Sequence, residues 1–231
     1  MSNVGFRVYT KINRPSKELV EQFKGLPVAN IADEMNRLSC MDACIKPLNS
    51  TPLLGTAFTV KARVGDNLML HTAIDMAQPG EIIIVDDQGD TANSLIGENM
   101  MLWAERRGIS GMVIDGAVRD VETLSQMKFP VYATGVQPNG PYKDGPGEIN
   151  VPVCCGGITV NPGDIIVGDA DGVVVIKAQD APVVLEKAKA KLKQELATRE
   201  AIANGTWNRS KYTLDALRKL GCEIIDDVYK S

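Results

Sequence analysis

Gly108-Ile109-Ser110-Gly111-Met112-Val113-Ile114-Asp115-Gly116-Ala117-Val118-Arg119-Asp120 is the stretch that decides how this chain is read. The apolar run Met112 to Ile114 reads as a buried strand, followed by a turn at Gly116. The exit of that turn leaves a guanidinium, Arg119, beside a carboxylate, Asp120. Alone, an adjacent Arg-Asp pair is ordinarily a weak surface ion pair. Upstream, Gly97-Glu98-Asn99-Met100 changes that reading. A glycine just inside the start of a helical pattern leaves backbone N–H groups free for an anion, and a nearby arginine can grip the same carboxylate with two parallel bonds. Asp120, with Glu98 behind it, has the chemistry to hold a hydrated divalent cation next to this cradle, because magnesium keeps most of its waters and needs few protein ligands. The ligand such a pairing suits is a 2-oxo acid.

Working outward, Ser16 to Leu38 predicts two short helices broken at Gly25-Leu26-Pro27, Thr56 to Val64 a strand, and Asp66 to Met76 a helix. Two segments echo each other: Pro79-Gly80-Glu81-Ile82-Ile83-Ile84-Val85-Asp86 and Pro162-Gly163-Asp164-Ile165-Ile166-Val167-Gly168-Asp169. Each places a Pro-Gly turn before a run too apolar for a surface strand, so both read as core strands. The second continues through Asp169-Ala170-Asp171-Gly172 into Val173 to Ile176. That is a hairpin rather than a calcium loop, since the ladder of oxygen ligands and the distal glutamate are missing. Asn93 to Arg107 has helical periodicity, and Val131 to Gly135 and Ile149 to Cys154 read as strands. The Gly/Pro-rich segment Gln137 to Gly147 between them reads as a loop with the makings of a lid. Ala181 to Ala203 forms a long charged helix, Tyr212 to Leu220 a short one stopped by Gly221, and Cys222 to Ile225 a closing strand. The expectation is one α/β domain over residues 1–231, with a helical extension and tail from about residue 180.

Composition removes several function classes. With 25 basic and 29 acidic residues and a net charge of −4, the chain has no basic tract for a phosphate backbone, so no nucleic-acid partner is expected. No signal core or membrane-length run is present, which predicts a cytoplasmic protein without a membrane partner. The five cysteines, at 40, 44, 154, 155 and 222, lack metal-site spacing and read as free, mostly structural thiols. The single histidine, His71, argues against a histidine zinc site and against a Ser-His triad; its apolar helical surroundings predict a packing or interface role. Gly108, Gly111 and Gly116 do not have dinucleotide-fingerprint spacing. Lys61 and Lys177 lie at or near strands with no evident partner to activate them, which disfavours imine chemistry.

The pattern Gly97-Glu98-Asn99-Met100, a helix, then Gly108 to Asp120 resembles the class II aldolases acting on 4-hydroxy-4-methyl-2-oxoglutarate and 4-carboxy-4-hydroxy-2-oxoadipate, together with the related RraA regulators of ribonuclease E. The likeness extends more loosely from about Ala29 to about Gly205, through Pro79-Gly80-Glu81, Asp86 to Asp90 and Asn161 to Val175. It implies a swivelling β/β/α-type α/β domain assembled as a homotrimer or homohexamer with sites at subunit interfaces. It further implies that Arg119 binds the pyruvyl carboxylate, that Asp120 ligates Mg²⁺ or Mn²⁺ through one direct bond and several waters, and that amides near Asn99 and Met100 complete the cradle. Many relatives carry leucines where this chain has Asn99 and Met100, which makes the pocket wall more polar here. In the aldolases a C-terminal helix lends a glutamate to the neighbouring subunit. Lys193 to Arg199 resembles that region, making Glu195 the candidate and Glu200 the reserve, against the plainer reading of a solvated helix charge. Pyruvate aldol cleavage, oxaloacetate decarboxylation and protein-binding regulation without catalysis are the activities the resemblance implies.

Overall fold

Four parallel strands give the chain its frame. The computed structural model describes residues 3–229, and the chain divides into two compact units, residues 1–191 and 192–231. The strands are β1 (Phe6–Val8), β2 (Lys46–Pro47), β3 (Leu53–Ala62), β4 (Glu81–Ile96), β5 (Gly111–Val118), β6 (Val131–Val136), β7 (Gly147–Ile149), β8 (Val153–Cys155), β9 (Ile158–Val160), β10 (Ile165–Asp169) and β11 (Gly172–Ile176). The helices are α1 (Lys17–Glu21), α2 (Val28–Glu34), α3 (Leu68–Met76), α4 (Glu98–Arg106), α5 (Val121–Gln126), α6 (Ala181–Ala203) and α7 (Leu214–Lys219). The architecture is mixed α/β, as expected.

The main sheet runs β1-β7-β3-β4-β5-β6-β2, and the antiparallel hairpin β10-β11 joins it on β3. Strands β3 to β6 are mutually parallel. Both faces of their centre are covered, which is why the sequence there is continuously apolar rather than alternating. In β4, Ile83 and Val85 face the core under α3, α4 and α5, while Ile82 and Ile84 face the opposite core with Val153 and Val160 of the β8-β9 ribbon. A third cluster packs α1, α2 and the start of α6 on the hairpin, through Phe23, Ile31, Ile176 and Leu185.

Several local expectations are corrected. Asn93 to Ile96 belong to β4, so the helix begins only at Glu98. Gly116 lies inside β5 rather than in a turn, and a Cβ there would sit 2.9 Å from Asp87 Oδ2. The glycine lets a buried carboxylate approach the backbone. Strand β4 follows β5 in register as far as Asp86 opposite Asp115, then slips before rejoining at Ile96 opposite Val118. Residues 222–225 form no strand. Cys155 is buried, whereas Cys40, Cys44, Cys154 and Cys222 are exposed free thiols, so most of the cysteines are not core residues. The expectation for Lys177 is not among these corrections: its partner is the Asp164 carboxylate at 2.7 Å, an ion pair and not an activating group. No helix among the described residues is long and apolar enough to cross a membrane.

Asp87 is a buried carboxylate in this frame with one unpaired oxygen. It is fully buried; Oδ1 accepts the Gly65 N–H at 2.9 Å and Oδ2 has no partner. Burial first, and then Asp90, Asp86 and Asp115 nearby, push its carboxyl from 3.8 up to about 7. Between those values the folded chain holds a proton that the unfolded chain has released, so this group's contribution to stability is lost as pH rises toward 7. Asp87→Asn should therefore gain more stability over the parent at pH 8 than at pH 5, measured by urea unfolding at both. An equal difference at the two pH values would show that Asp87 is ionised throughout.

Candidate active site

The ends of β4 and β5 are tied together before any side chain is placed. The Arg119 N–H donates to the Ile96 carbonyl at 3.0 Å, and the Glu98 N–H donates to Asp120 Oδ2 at 2.9 Å. Asp120 has φ 61° and ψ 36°, a left-handed conformation that aspartate tolerates better than most residues. That turn aims its carboxylate back at the start of α4. Gly97 makes the approach possible, since a Cβ there would lie 2.3 Å from Asp120 Oδ2 and 3.1 Å from Arg119 Nε.

With Glu98 N–H occupied, the amides of Asn99 and Met100 are the orphan donors at the N-terminus of α4; neither has an acceptor among the described residues. Both residues line a cavity of about 380 Å³ together with Arg119 and Asp120. Arg119 is half-exposed, and its one ion pair among the described residues is a loose 3.9 Å approach of Nε to Asp120 Oδ2. Its outer nitrogens are left for a ligand. The expected cradle of Gly97, Asn99, Met100, Arg119 and Asp120 is thus assembled in one place. Glu98 contributes its N–H, but its side chain does not line the cavity.

The cavity has further lining residues that the sequence reading missed. Asn67, His71 and Lys143 complete its walls. Of the packing or interface role expected for His71, the packing half is corrected: His71 lies on the exposed side of α3, whose apolar residues face the core, and it lines the cavity. Its position four residues after Asn67, both on one helical face, was the available signal. Partial burial and then the Lys143 ammonium lower the His71 pKa below 6.5, outweighing the opposite pull of Asp75. Lys143 forms no ion pair among the described residues and comes from the segment read as a lid. That segment is fixed rather than free. The Ser94 N–H and Oγ both donate to the Asn139 carbonyl, at 2.8 and 2.7 Å, and Asn93 Nδ2 donates to the Gly140 carbonyl at 2.8 Å.

A divalent cation fits this chemistry sparingly. One Asp120 oxygen is engaged by Glu98 N–H and the other takes no hydrogen bond, while no group of three His, Cys, Asp or Glu side chains is arranged for a metal among the described residues. A cation held through Asp120 would keep mostly water ligands, as magnesium does. Glu195 belongs to the second unit, half-buried on α6, and Glu200 is exposed further along that helix. A roomier cavity of about 760 Å³ lies at the opposite ends of the strands, around Phe23, Leu26, Leu53 and Val167, with no arginine in its wall. Chemistry rather than size selects the site, which sits where parallel strands end, the usual place for ligands in α/β sheets.

Residues 28–175 match the family described as RraA-like, Aldolase/RraA. The chain belongs to the RraA-like family. It is 39% identical over 188 residues to a protein of Halalkalibacterium halodurans named "Putative 4-hydroxy-4-methyl-2-oxoglutarate aldolase", covering 81% of this chain and 90% of that one. Among solved structures, an uncharacterized protein from Pseudomonas syringae pv. tomato superposes with a TM-score of 0.76 at 27% identity, covering 90% of this chain and all of that one. The structure described as the RNA-processing inhibitor RraA from Thermus thermophilis gives 0.61 at 26% identity, over 65% of this chain and 92% of that one. The family therefore includes members named for catalysis and members named for inhibition.

Because His71 is the one histidine in the sequence, its titration can be followed without assignment. Proton NMR should show a single imidazole titrating below 6.5, and Lys143→Met should move that midpoint upward by removing a like charge. An unmoved midpoint would separate the two side chains.

Proposed function

We propose that the chain is a divalent-metal-dependent aldolase that cleaves 4-hydroxy-2-oxo di- and tricarboxylic acids, of the 4-hydroxy-4-methyl-2-oxoglutarate and 4-carboxy-4-hydroxy-2-oxoadipate type, to pyruvate and a second oxo acid. Oxaloacetate decarboxylation is a side activity of the same site. The observation that carries this reading is the two-poled cavity. Arg119 with the Asn99 and Met100 amides serves as one anion site with Asp120 beside it, and we assign Lys143 and His71, which line the same 380 Å³ space, as a second, basic pole. A monocarboxylate needs only the first pole. A dicarboxylate uses both.

In this reading Arg119 holds the carboxylate next to the 2-oxo group by two parallel bonds, and the helix amides take the remaining lone pairs. Asp120 holds Mg²⁺ or Mn²⁺, which when bound supplies a Lewis acid to the 2-oxo group. Lys143 and a neutral His71 orient the distal carboxylate. The C4 hydroxyl loses its proton, the C3–C4 bond breaks, its electron pair passes to C3 of the departing pyruvate unit, and C3 is then protonated. We assign the proton at the C4 hydroxyl to Glu195 of a neighbouring copy in a homotrimer or homohexamer, with Glu200 as the reserve. Glu98 orients Asp120 through its backbone N–H. The 39% identical relative named a putative aldolase, matched over 81% of this chain and 90% of its own, supports this reading. The Thermus inhibitor's likeness supports a second one, protein-binding regulation without chemistry.

Release of pyruvate from 4-hydroxy-4-methyl-2-oxoglutarate and from oxaloacetate separates the two readings. Turnover should require Mg²⁺ or Mn²⁺ and vanish on exhaustive chelation; the absence of pyruvate with every such substrate would favour the regulator. Arg119→Lys should lower kcat/KM by about 30-fold, since an ammonium loses the bidentate geometry at a cost of roughly 2 kcal/mol. A kcat/KM within twofold of the parent, about the scatter of such a measurement, would reduce Arg119 to a surface pair.

A further inference from the structure

Asp66 precedes α3 and is almost wholly buried, at 2% exposure, yet it lies outside the cavity wall. It forms no ion pair among the described residues; three backbone N–H groups surround it instead. Oδ1 accepts from Leu68 at 2.9 Å, and Oδ2 accepts from Asp144 and from Gly145, each at 2.8 Å. The first donor belongs to the helix that carries His71. The other two directly follow Lys143. Around this carboxylate the two backbones are stitched again: the Asn67 N–H donates to the Tyr142 carbonyl at 3.0 Å, and the Tyr142 N–H donates to the Gly65 carbonyl at 2.8 Å.

We propose that Asp66 is a positioning residue that fixes Lys143 relative to His71 and so sets the reach of the basic pole for the substrate's distal carboxylate. The use of a charged group here has a chemical reason. Three inward-facing donors need an acceptor with no hydrogen of its own, and a carboxylate offers two such oxygens. An asparagine keeps one and turns an NH₂ toward donors at the other, so one side of the clamp must open. The Arg119 pole is anchored separately, by the Ile96 carbonyl and by Asp120. Opening the clamp therefore acts on one end of the substrate only.

The inference rests on the aldolase reading for its kinetic arm, and a second arm stands without it. For Asp66→Asn, KM for a 4-hydroxy-2-oxo dicarboxylate should rise about tenfold, the order expected for losing a hydrogen bond to a charged group. The kcat value should fall less than about threefold, and the inhibition constant of pyruvate, which needs only the Arg119 pole, should change less than about twofold. A comparable loss in kcat and in pyruvate affinity would mean a general structural defect and overturn the proposal, as would an unchanged KM. Hydrogen–deuterium exchange gives the second arm: the Asp144 and Gly145 amides should be protected in the parent and lose that protection in the variant. Unprotected amides in the parent protein overturn the clamp even if Asp66→Asn cannot be purified folded. If the parent releases no pyruvate from any substrate, the aldolase reading fails, and the exchange result alone decides whether Asp66 holds the loop.

Discussion

Everything at the cavity depends on how closely two strand ends are allowed to meet. The 2.9 Å bond from Glu98 N–H to Asp120 exists because Gly97 has no Cβ in the space that the carboxylate fills. This single contact caps α4, sets the direction of the Asp120 side chain and leaves the Asn99 and Met100 amides unpaired. A helix start without a side-chain cap of its own would ordinarily be a defect. Here the residues whose amides lack partners line the cavity. The strand ends supply rigidity on one side, because Ile96 and Val118 are buried in the same core that α4 and α5 cover.

The part of the wall around Lys143 is built on another plan. No regular element carries Lys143; the segment around it is held by side chains that reach its backbone, Ser94 and Asn93 at one end and Asp66 at the other. A loop satisfied in this way has its polar groups paired without a ladder. It can therefore present a flexible side chain from a fixed backbone. The basic pole combines a defined origin with adjustable reach, whereas the Arg119 pole is constrained at both.

How much of this was legible in the sequence follows from the range of the forces involved. The β-branched runs at Ile82 to Val85 and Ile165 to Val167 declare themselves because burial on two faces leaves one kind of residue acceptable. The break between α1 and α2 and the full extent of α6 were read from local glycine, proline and alanine chemistry. Arg119, Asp120 and Gly97 could be picked out together because they lie near the ends of one strand-helix-strand passage. The start of α4 was misplaced: Asn93 to Ile96 carry helical spacing, but β-pairing with β5 claims them, and pairing partners distant in sequence leave no local trace. Gly116 was read as a turn for the same reason, since its true cause is a buried carboxylate 29 positions earlier. His71 and Lys143 escaped because 72 residues separate them. Their meeting is made by Asp66 and by the β4-to-loop bonds, neither of which has a periodicity to detect.

The left-handed backbone at Asp120 restricts what evolution can put there. Of the side chains that accept this conformation readily, asparagine is closest in shape, and it can still receive the Glu98 N–H through its one carbonyl oxygen. An Asp-to-Asn exchange would then preserve the turn, the cap on α4 and the outline of the cavity while discharging the group best suited to a cation. The scaffold is indifferent to whether its pocket is charged for chemistry. A lineage that carries proteins named for cleavage beside one named for inhibition is what such indifference permits: the surface can be kept and put to another use after a change of a single functional group.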